Sequence, residues 1–170
     1  MRFEYILDDA VTPALDAKLR HLLSTCFTKE QDKIFQTQRY FREMPRHRYL
    51  IWDGEILAAH IAAHEKQVMI DDQSFPISGI AEVCVQPNFR GKGLVKTLLN
   101  SVHQDAIERG DAFSILFGRT HVYQSSGYQP TDNLHMEVQP NQWASISDAM
   151  VRSLNITWPQ QVVHLVGYPF

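Results

Sequence analysis

The chain has 170 residues, 44% of them hydrophobic and 21% charged, which suits a soluble globular protein with length for one good core. A net charge of −3 gives no bulk electrostatic case for a nucleic-acid partner, and two cysteines make no disulfide framework. No apolar stretch approaches the ~20 residues that span a bilayer, and the opening run Met1–Asp9 lacks the apolar core of a signal peptide. The expectation is a cytoplasmic protein with neither a membrane nor a nucleic-acid partner, forming a single domain over residues 1–170.

Taken in order, Arg2 to Leu7 alternates enough for a first strand. Asp9 to Pro13 can start a helix whose apolar face is Leu15, Leu19, Leu22, Leu23 and Cys26. A second helical stretch is expected from Lys29 to Arg42, ended by Pro45. Arg48 to Trp52 reads as a strand, Asp53-Gly54 as a tight turn and Glu55 to Lys66 as the returning strand. A further hairpin follows, with Val68 to Ile70, a polar turn at Asp71 to Ser74, and Phe75 to Ile77. Ile80 to Val85 is a short apolar strand rich in β-branched residues, closed by Pro87, which has no N–H for a ladder. From Leu94 the period changes. Leu94, Val95, Leu98, Leu99, Val102, Ala106 and Ile107 recur at helical steps, and Gly110 stands where a closing glycine would. Phe113 to Phe117 is an apolar strand, and His121 to Ser126 a short helix ending at Gly127. Leu134 to Val138 and Val162 to Val166 are strand candidates, with a helix expected from Gln142 to Leu154 between them.

The order of elements predicts a mixed α/β fold: a largely antiparallel sheet with helices on both faces, and a right-handed crossover that makes the Phe113 strand parallel to the strand ending at Val85. Between that strand and its helix lies the run Arg90-Gly91-Lys92-Gly93. The first turn of a helix leaves several N–H groups without internal partners, and the helix dipole adds partial positive charge there. Gly91 and Gly93 let an anion approach the backbone, and Arg90 and Lys92 add full charges, so the loop suits a phosphate or pyrophosphate. The dinucleotide fingerprint fails because Lys96 replaces its third glycine, and the Walker pattern fails as well.

The run Glu82-Val83-Cys84-Val85-Gln86-Pro87-Asn88-Phe89-Arg90-Gly91-Lys92-Gly93 resembles motif A of the GCN5-related N-acetyltransferases, with Asn88 where that motif prefers Gln or Arg. Val122-Tyr123-Gln124-Ser125-Ser126-Gly127-Tyr128 is similar to the same family's FYxxxGF segment. The resemblance is specific over residues 49 to 128. It implies that the two parallel strands splay apart around the pantetheine of acetyl-CoA. The backbone of Val83, Cys84 and Val85 would then bond the pantetheine, and the amides from Arg90 through Gly91, Lys92, Gly93 and Leu94 to Val95 would hold the pyrophosphate. Within the family, the hairpin from Glu65 to Ser78 is loosely similar to the aminoglycoside 2′-N-acetyltransferases and nodulation acyltransferases.

Acetyl transfer from a thioester to an amine needs a neutral amine, a stabilised oxyanion and a protonated leaving thiolate. Glu82 is the candidate base, against the plainer reading of an ion-paired glutamate. The resemblance implies that Tyr123 is the general acid and the Val85 amide the oxyanion donor; the plainer reading of Tyr123 is a core aromatic. Cys84 on a buried strand reads as a small apolar residue rather than a nucleophile. His60 and His64 sit in a strand with no third ligand in view, so no metal is expected. The cluster Arg39, Arg42, Arg46, His47 and Arg48 reads as a solvated face and loop, with Arg46 or Arg48 alternatively meeting an acceptor's carboxylate. The expected activity is N-acetylation of a small-molecule or peptide amine. The alternatives are a non-catalytic acyl-CoA-binding module and a transferase with a longer acyl donor. The aromatic segment after Gln139 either packs on the core or forms a homodimer contact.

Overall fold

A computed structural model describes residues 1–170. In chain order its elements are β1 (Arg2–Leu7), α1 (Pro13–Cys26), a 3-10 stretch Glu30–Gln36, β2 (His47–Asp53), β3 (Ile56–Ile70), β4 (Gln73–Val85), a 3-10 turn Pro87–Phe89, α2 (Leu94–Arg109), β5 (Phe113–Phe117), α3 (Thr120–Tyr123), a 3-10 turn Gln124–Ser126, β6 (Gln129–Pro130), β7 (Leu134–Gln139), β8 (Gln142–Ser145), β9 (Ala149–Ser153) and β10 (Val163–Leu165). The chain forms two compact units, Met1–His64 with Ala81–Val102, and Glu65–Ile80 with His103–Phe170.

In the first unit, β1 pairs antiparallel with β2 from Arg2↔Trp52 to Leu7↔His47, and β2 pairs antiparallel with β3. Helix α1 opens as its sequence dictates: Pro13 occupies the first turn and the Thr12 hydroxyl accepts from the Leu15 N–H at 3.2 Å. Its Leu19, Leu22 and Leu23 recur at helical spacing and bury completely against Phe35, Leu50, Trp52, Leu57 and Cys84. Burying a leucine or phenylalanine stabilises by about 1.5–3 kcal/mol, so this cluster secures α1 beside the strands.

In the second unit β4 pairs with β5 in parallel, Ile77↔Phe113 to Gly79↔Ile115, the expected crossover. On the other side of β5 lies antiparallel β9, followed by β6. The end of β3 pairs antiparallel with β10, which runs parallel to β7, itself in a hairpin with β8. The core here gathers Val68, Ile77, Phe113, Ile115, Leu134, Val151, Val163 and Leu165, with Trp158 packed edge-on to Phe113. The result is a mixed α/β fold with parallel and antiparallel pairs, as the sequence order predicts.

Three expected elements differ. The stretch Gln142 to Leu154 is not a helix but β8 and β9. Asn141 and Asp148 take left-handed φ values of 60° and 59°, which turn the chain before each strand, and Ala149–Val151 is buried and paired with β5. The helix expected from Lys29 to Arg42 stops at Gln36. Beyond it the Gln38 amide bonds the carbonyls of Tyr40 and Phe41, and the Arg39 carbonyl is taken by Arg48, so the backbone is satisfied without helical bonds. Both hairpins expected between Arg48 and Ile77 form, but the strands expected at Glu55 to Lys66 and Val68 to Ile70 are one strand, β3, which turns at Asp71, φ 53°, into β4, where Phe75 to Ile77 runs on through Ile80 to Val85.

Candidate active site

The sequence-predicted residues from Glu82 to Val95 all fall in the first unit, whereas Tyr123 lies in the second. Strand β4 ends at Val85, the 3-10 turn Pro87–Phe89 anchors buried Phe89, and α2 begins at Leu94. Between them Gly91 and Gly93 adopt φ of 75° and 72°, which side chains with a Cβ rarely tolerate. A Cβ built at either would meet no atom within 4 Å, so backbone shape and open approach, not crowding, explain the two glycines. The Thr97 amide begins the helical ladder on the Gly93 carbonyl at 3.1 Å, leaving the amides of the first turn without intrahelical acceptors. Lys92 lies over the Phe89 ring at 4.9 Å, and the Arg90 Nε donates to the Val85 carbonyl at 3.3 Å. Exposed amides, a helix N-terminus and two cations fit a pyrophosphate.

Glu82 stands in β4 with φ 52°, an uncommon value for a residue with a side chain, and one that re-aims it locally. Its side chain is only 6% exposed. Oε1 accepts from the Phe41 N–H at 3.2 Å, whereas Oε2 is buried with no hydrogen-bond partner and lies 3.5 Å from Arg48 Nη1. Burial pushes the carboxyl up to about 7, against the opposing charge of Arg48. A buried carboxylate oxygen with an open acceptor position and a pKa near neutrality can take a proton from an amine.

Arg48 and His60 meet Glu82, and Asp8 and Arg39 hold Arg48 in turn, a grouping not singled out in the sequence. Arg48 is fully buried: Nε donates to Asp8 at 2.5 Å, Nη2 to the Arg39 carbonyl at 2.8 Å, and Nη1 meets His60 Nε2 at 3.0 Å. Because a guanidinium can only donate, Nε2 of His60 is the acceptor and its Nδ1 carries the proton, which goes to the Glu82 carbonyl at 3.1 Å. Burial, with the Arg48 charge, keeps the His60 pKa well below its ordinary value, so the ring is neutral. Arg39 grips Asp8 with two nitrogens, at 3.0 and 2.8 Å, and Asp16 with the third at 3.0 Å. Burial alone would raise the Asp8 pKa, but bonds from Arg39 and Arg48 hold it below the ordinary value. Arg48 is therefore neither solvated nor directed at an acceptor, and Arg46 pairs with Asp9 at 2.9 Å. The signal for this was present: Arg48 shares a strand face with Leu50 and Trp52, both in the core, so it had to find a buried partner.

Of the remaining positions, Val83 and Val85 are half-buried and Cys84 is buried, its thiol pushed well above the ordinary pKa by burial first. In the second unit Tyr123 is half-buried on α3, its ring edge-on to Tyr128 at 6.2 Å. Gly118 makes room for it, since a Cβ there would sit 2.6 Å from the Tyr123 ring. Tyr128 is itself fixed. Arg152 donates to His103 Nδ1 at 2.8 Å, so His103 Nε2–H donates to the Tyr128 hydroxyl at 2.7 Å, and that hydroxyl meets Ser114 at 2.7 Å. The left-handed Gly127, φ 85°, turns the chain from the 3-10 turn into Tyr128.

The family model described as "Acetyltransferase (GNAT) domain" matches residues 12–131. Among solved structures, the GNAT family N-acetyltransferase YhbS of Escherichia coli, crystallised in complex with CoA, is 19% identical with TM-score 0.69 over 97% of this chain and 89% of its own. A GNAT family acetyltransferase from Brucella melitensis, in complex with acetyl-CoA, is 15% identical with TM-score 0.64 over 95% and 94%. A probable N-acyltransferase from Enterococcus faecalis is 19% identical with TM-score 0.60; the match takes in 79% of this chain but only 33% of that protein. No curated relative matches the chain. At these identities the solved structures speak to fold alone.

Proposed function

Because the chain belongs to the GNAT acetyltransferase family, we propose that residues 1–170 act as one catalytic domain, transferring acetyl from acetyl-CoA to a primary amine of a small molecule or peptide by direct attack. The observation that carries this reading is the loop itself: two left-handed glycines between Arg90 and Leu94, opening a helix whose first-turn amides have no acceptor within the helix. Bound acetyl-CoA supplies the activated carbonyl. The amides from Arg90 to Val95 bind its pyrophosphate, with Arg90 and Lys92 adding charge. Backbone groups of Val83, Cys84 and Val85 align the pantetheine, and the Val85 amide supports the oxyanion. Glu82 takes the amine's proton on Oε2, directly or through a water, because that oxygen is buried without a partner. Tyr123 donates its phenolic proton to the departing sulfur, a role assigned from its place in the Y-x-x-x-G-Y segment.

Calorimetry with CoA, followed by a screen of amines for acetyl-dependent thiol release, tests the proposal. Binding with turnover of at least one amine is expected. Binding with no turnover on a broad amine panel makes the chain a coenzyme-binding module, and absence of binding removes the reading altogether.

A further inference from the structure

The chain's two cysteines lie far apart in sequence, yet the first unit packs both into one apolar cluster, with the Cys26 sulfur on the carbonyl of the residue that follows Cys84. Cys26 is the last residue of α1, half-buried, and packs on the apolar cluster in which Cys84 is 5% exposed. Its thiol donates to the Val85 carbonyl at 3.3 Å, and Arg90 Nε donates to that same oxygen at 3.3 Å, so a guanidinium stands beside the sulfur. One half-buried thiol, one buried thiol in the same cluster and an adjacent fixed cation suit an attacking and resolving pair.

We propose that Cys26 is a peroxide-reactive modification site and Cys84 its resolving thiol, so that a hydroperoxide closes a Cys26–Cys84 disulfide at the end of β4.

The chemistry balances without any further reagent. The Cys26 thiolate attacks one peroxide oxygen, the S–O bond forms, the O–O bond breaks, and the departing hydroxide or alkoxide leaves as water or alcohol after protonation. The Cys84 sulfur then attacks the sulfenic sulfur; the S–S bond forms, and the hydroxyl leaves as water with the Cys84 proton. Two thiols lose two electrons in total and the peroxide gains them. The environment suits these roles. The hydrogen bond from Cys84 and the charge of Arg90 hold the Cys26 thiol down at about 7 in spite of burial, whereas burial keeps Cys84 protonated. The disulfide would clamp the end of α1 to the strand that leads into the glycine loop, next to Arg90. The consequence for coenzyme rests on the acetyl-CoA reading above: the bridged form binds CoA about tenfold more weakly or worse.

The test exposes the wild-type chain to hydrogen peroxide, then maps thiols by intact mass and non-reducing peptide digestion. The expected product has lost two hydrogen atoms, contains a cross-link between the Cys26 and Cys84 peptides, and reverts with dithiothreitol. Cys26→Ser should abolish both the cross-link and the fast reaction, and Cys84→Ser should leave a sulfenic acid on Cys26 that dimedone traps. Accumulation of sulfinic acid on Cys26 with Cys84 still alkylatable overturns the pairing, and needs no folded variant to be seen. Equal CoA affinity of the reduced and bridged forms overturns the regulatory consequence. Failure of the reduced protein to bind CoA at all is a separate result, which sinks the coenzyme reading and leaves the disulfide to be judged by mass alone.

Discussion

Glu82→Gln removes a titrating group while keeping its size and hydrogen-bonding reach. In the folded chain the carboxyl is raised from an ordinary 4.5 to about 7, mainly by burial. A raised acid favours the folded state fully below the unfolded pKa and loses that contribution as pH climbs through the folded one. At about 1.4 kcal/mol per pH unit, the interval between the two values corresponds to roughly 3 kcal/mol. The glutamine variant escapes this loss. Its stability relative to wild type should therefore climb by about that amount between pH 4.5 and 7 and level off above, on top of a pH-independent offset from the altered Arg48 contact. Urea unfolding of both proteins at half-unit pH intervals measures it. Catalysis gives the matching readout. Wild-type kcat/KM should fall about tenfold per pH unit below about 7, and the variant should lose ~10²–10⁴ of the rate above it with nearly unchanged CoA affinity. A stability difference that stays flat across the window refutes the raised carboxyl; a rate profile identical in the two proteins refutes the base.

Gly93→Ala forces a Cβ onto a backbone at φ 72° and should cost about 1–2 kcal/mol in thermal unfolding while weakening CoA in calorimetry; because no atom crowds the site, repacking cannot rescue it. Gly118→Ala places a Cβ 2.6 Å from the Tyr123 ring, so the ring must move, and kcat should fall with CoA affinity retained. Tyr123→Phe should lower kcat in the same assay, and the double variant should fall no further than the worse single. Asp8→Asn leaves two arginines short of a carboxylate and should destabilise by about 3–5 kcal/mol in urea. Since the Asp8 charge helps keep Glu82 high, the acidic limb of the rate profile should also move to lower pH.

What was legible in the sequence was local. The strand, glycine loop and helix around Gly91 and Gly93 announce themselves because turn chemistry, period and capping act over a few residues, and the structure places all three as read. The helix expected at Gln142 to Leu154 failed although its Ala and Met residues favour a helix, because distant β5 overrides that local preference by pairing with β9. The same nonlocality hid the surroundings of both candidate catalytic residues. Glu82 was visible from its place in the motif, but not its left-handed φ, nor that Asp8, Arg48 and His60 converge beneath it. Gly118 carries no turn signature, since its smallness answers to Tyr123 rather than to its own backbone.

The convergence beneath Glu82 has a logic that decides its chemistry. A fully buried arginine within reach of a buried carboxylate ordinarily locks it as an ion pair and makes it a poor base. Here the guanidinium is already committed: Nε to Asp8, Nη2 to the Arg39 carbonyl and Nη1 to His60. Glu82 Oε2 is left at 3.5 Å with no hydrogen bond, so it feels the charge without being held by it, and burial prevails. His60 is the hinge of this arrangement. Its Nε2 draws Nη1 away from the carboxylate while its Nδ1–H secures the carbonyl of the same glutamate in the left-handed conformation. A single neutral imidazole thus both frees the side chain and fixes the backbone that aims it, and its neutrality is enforced by burial and then by the arginine it diverts.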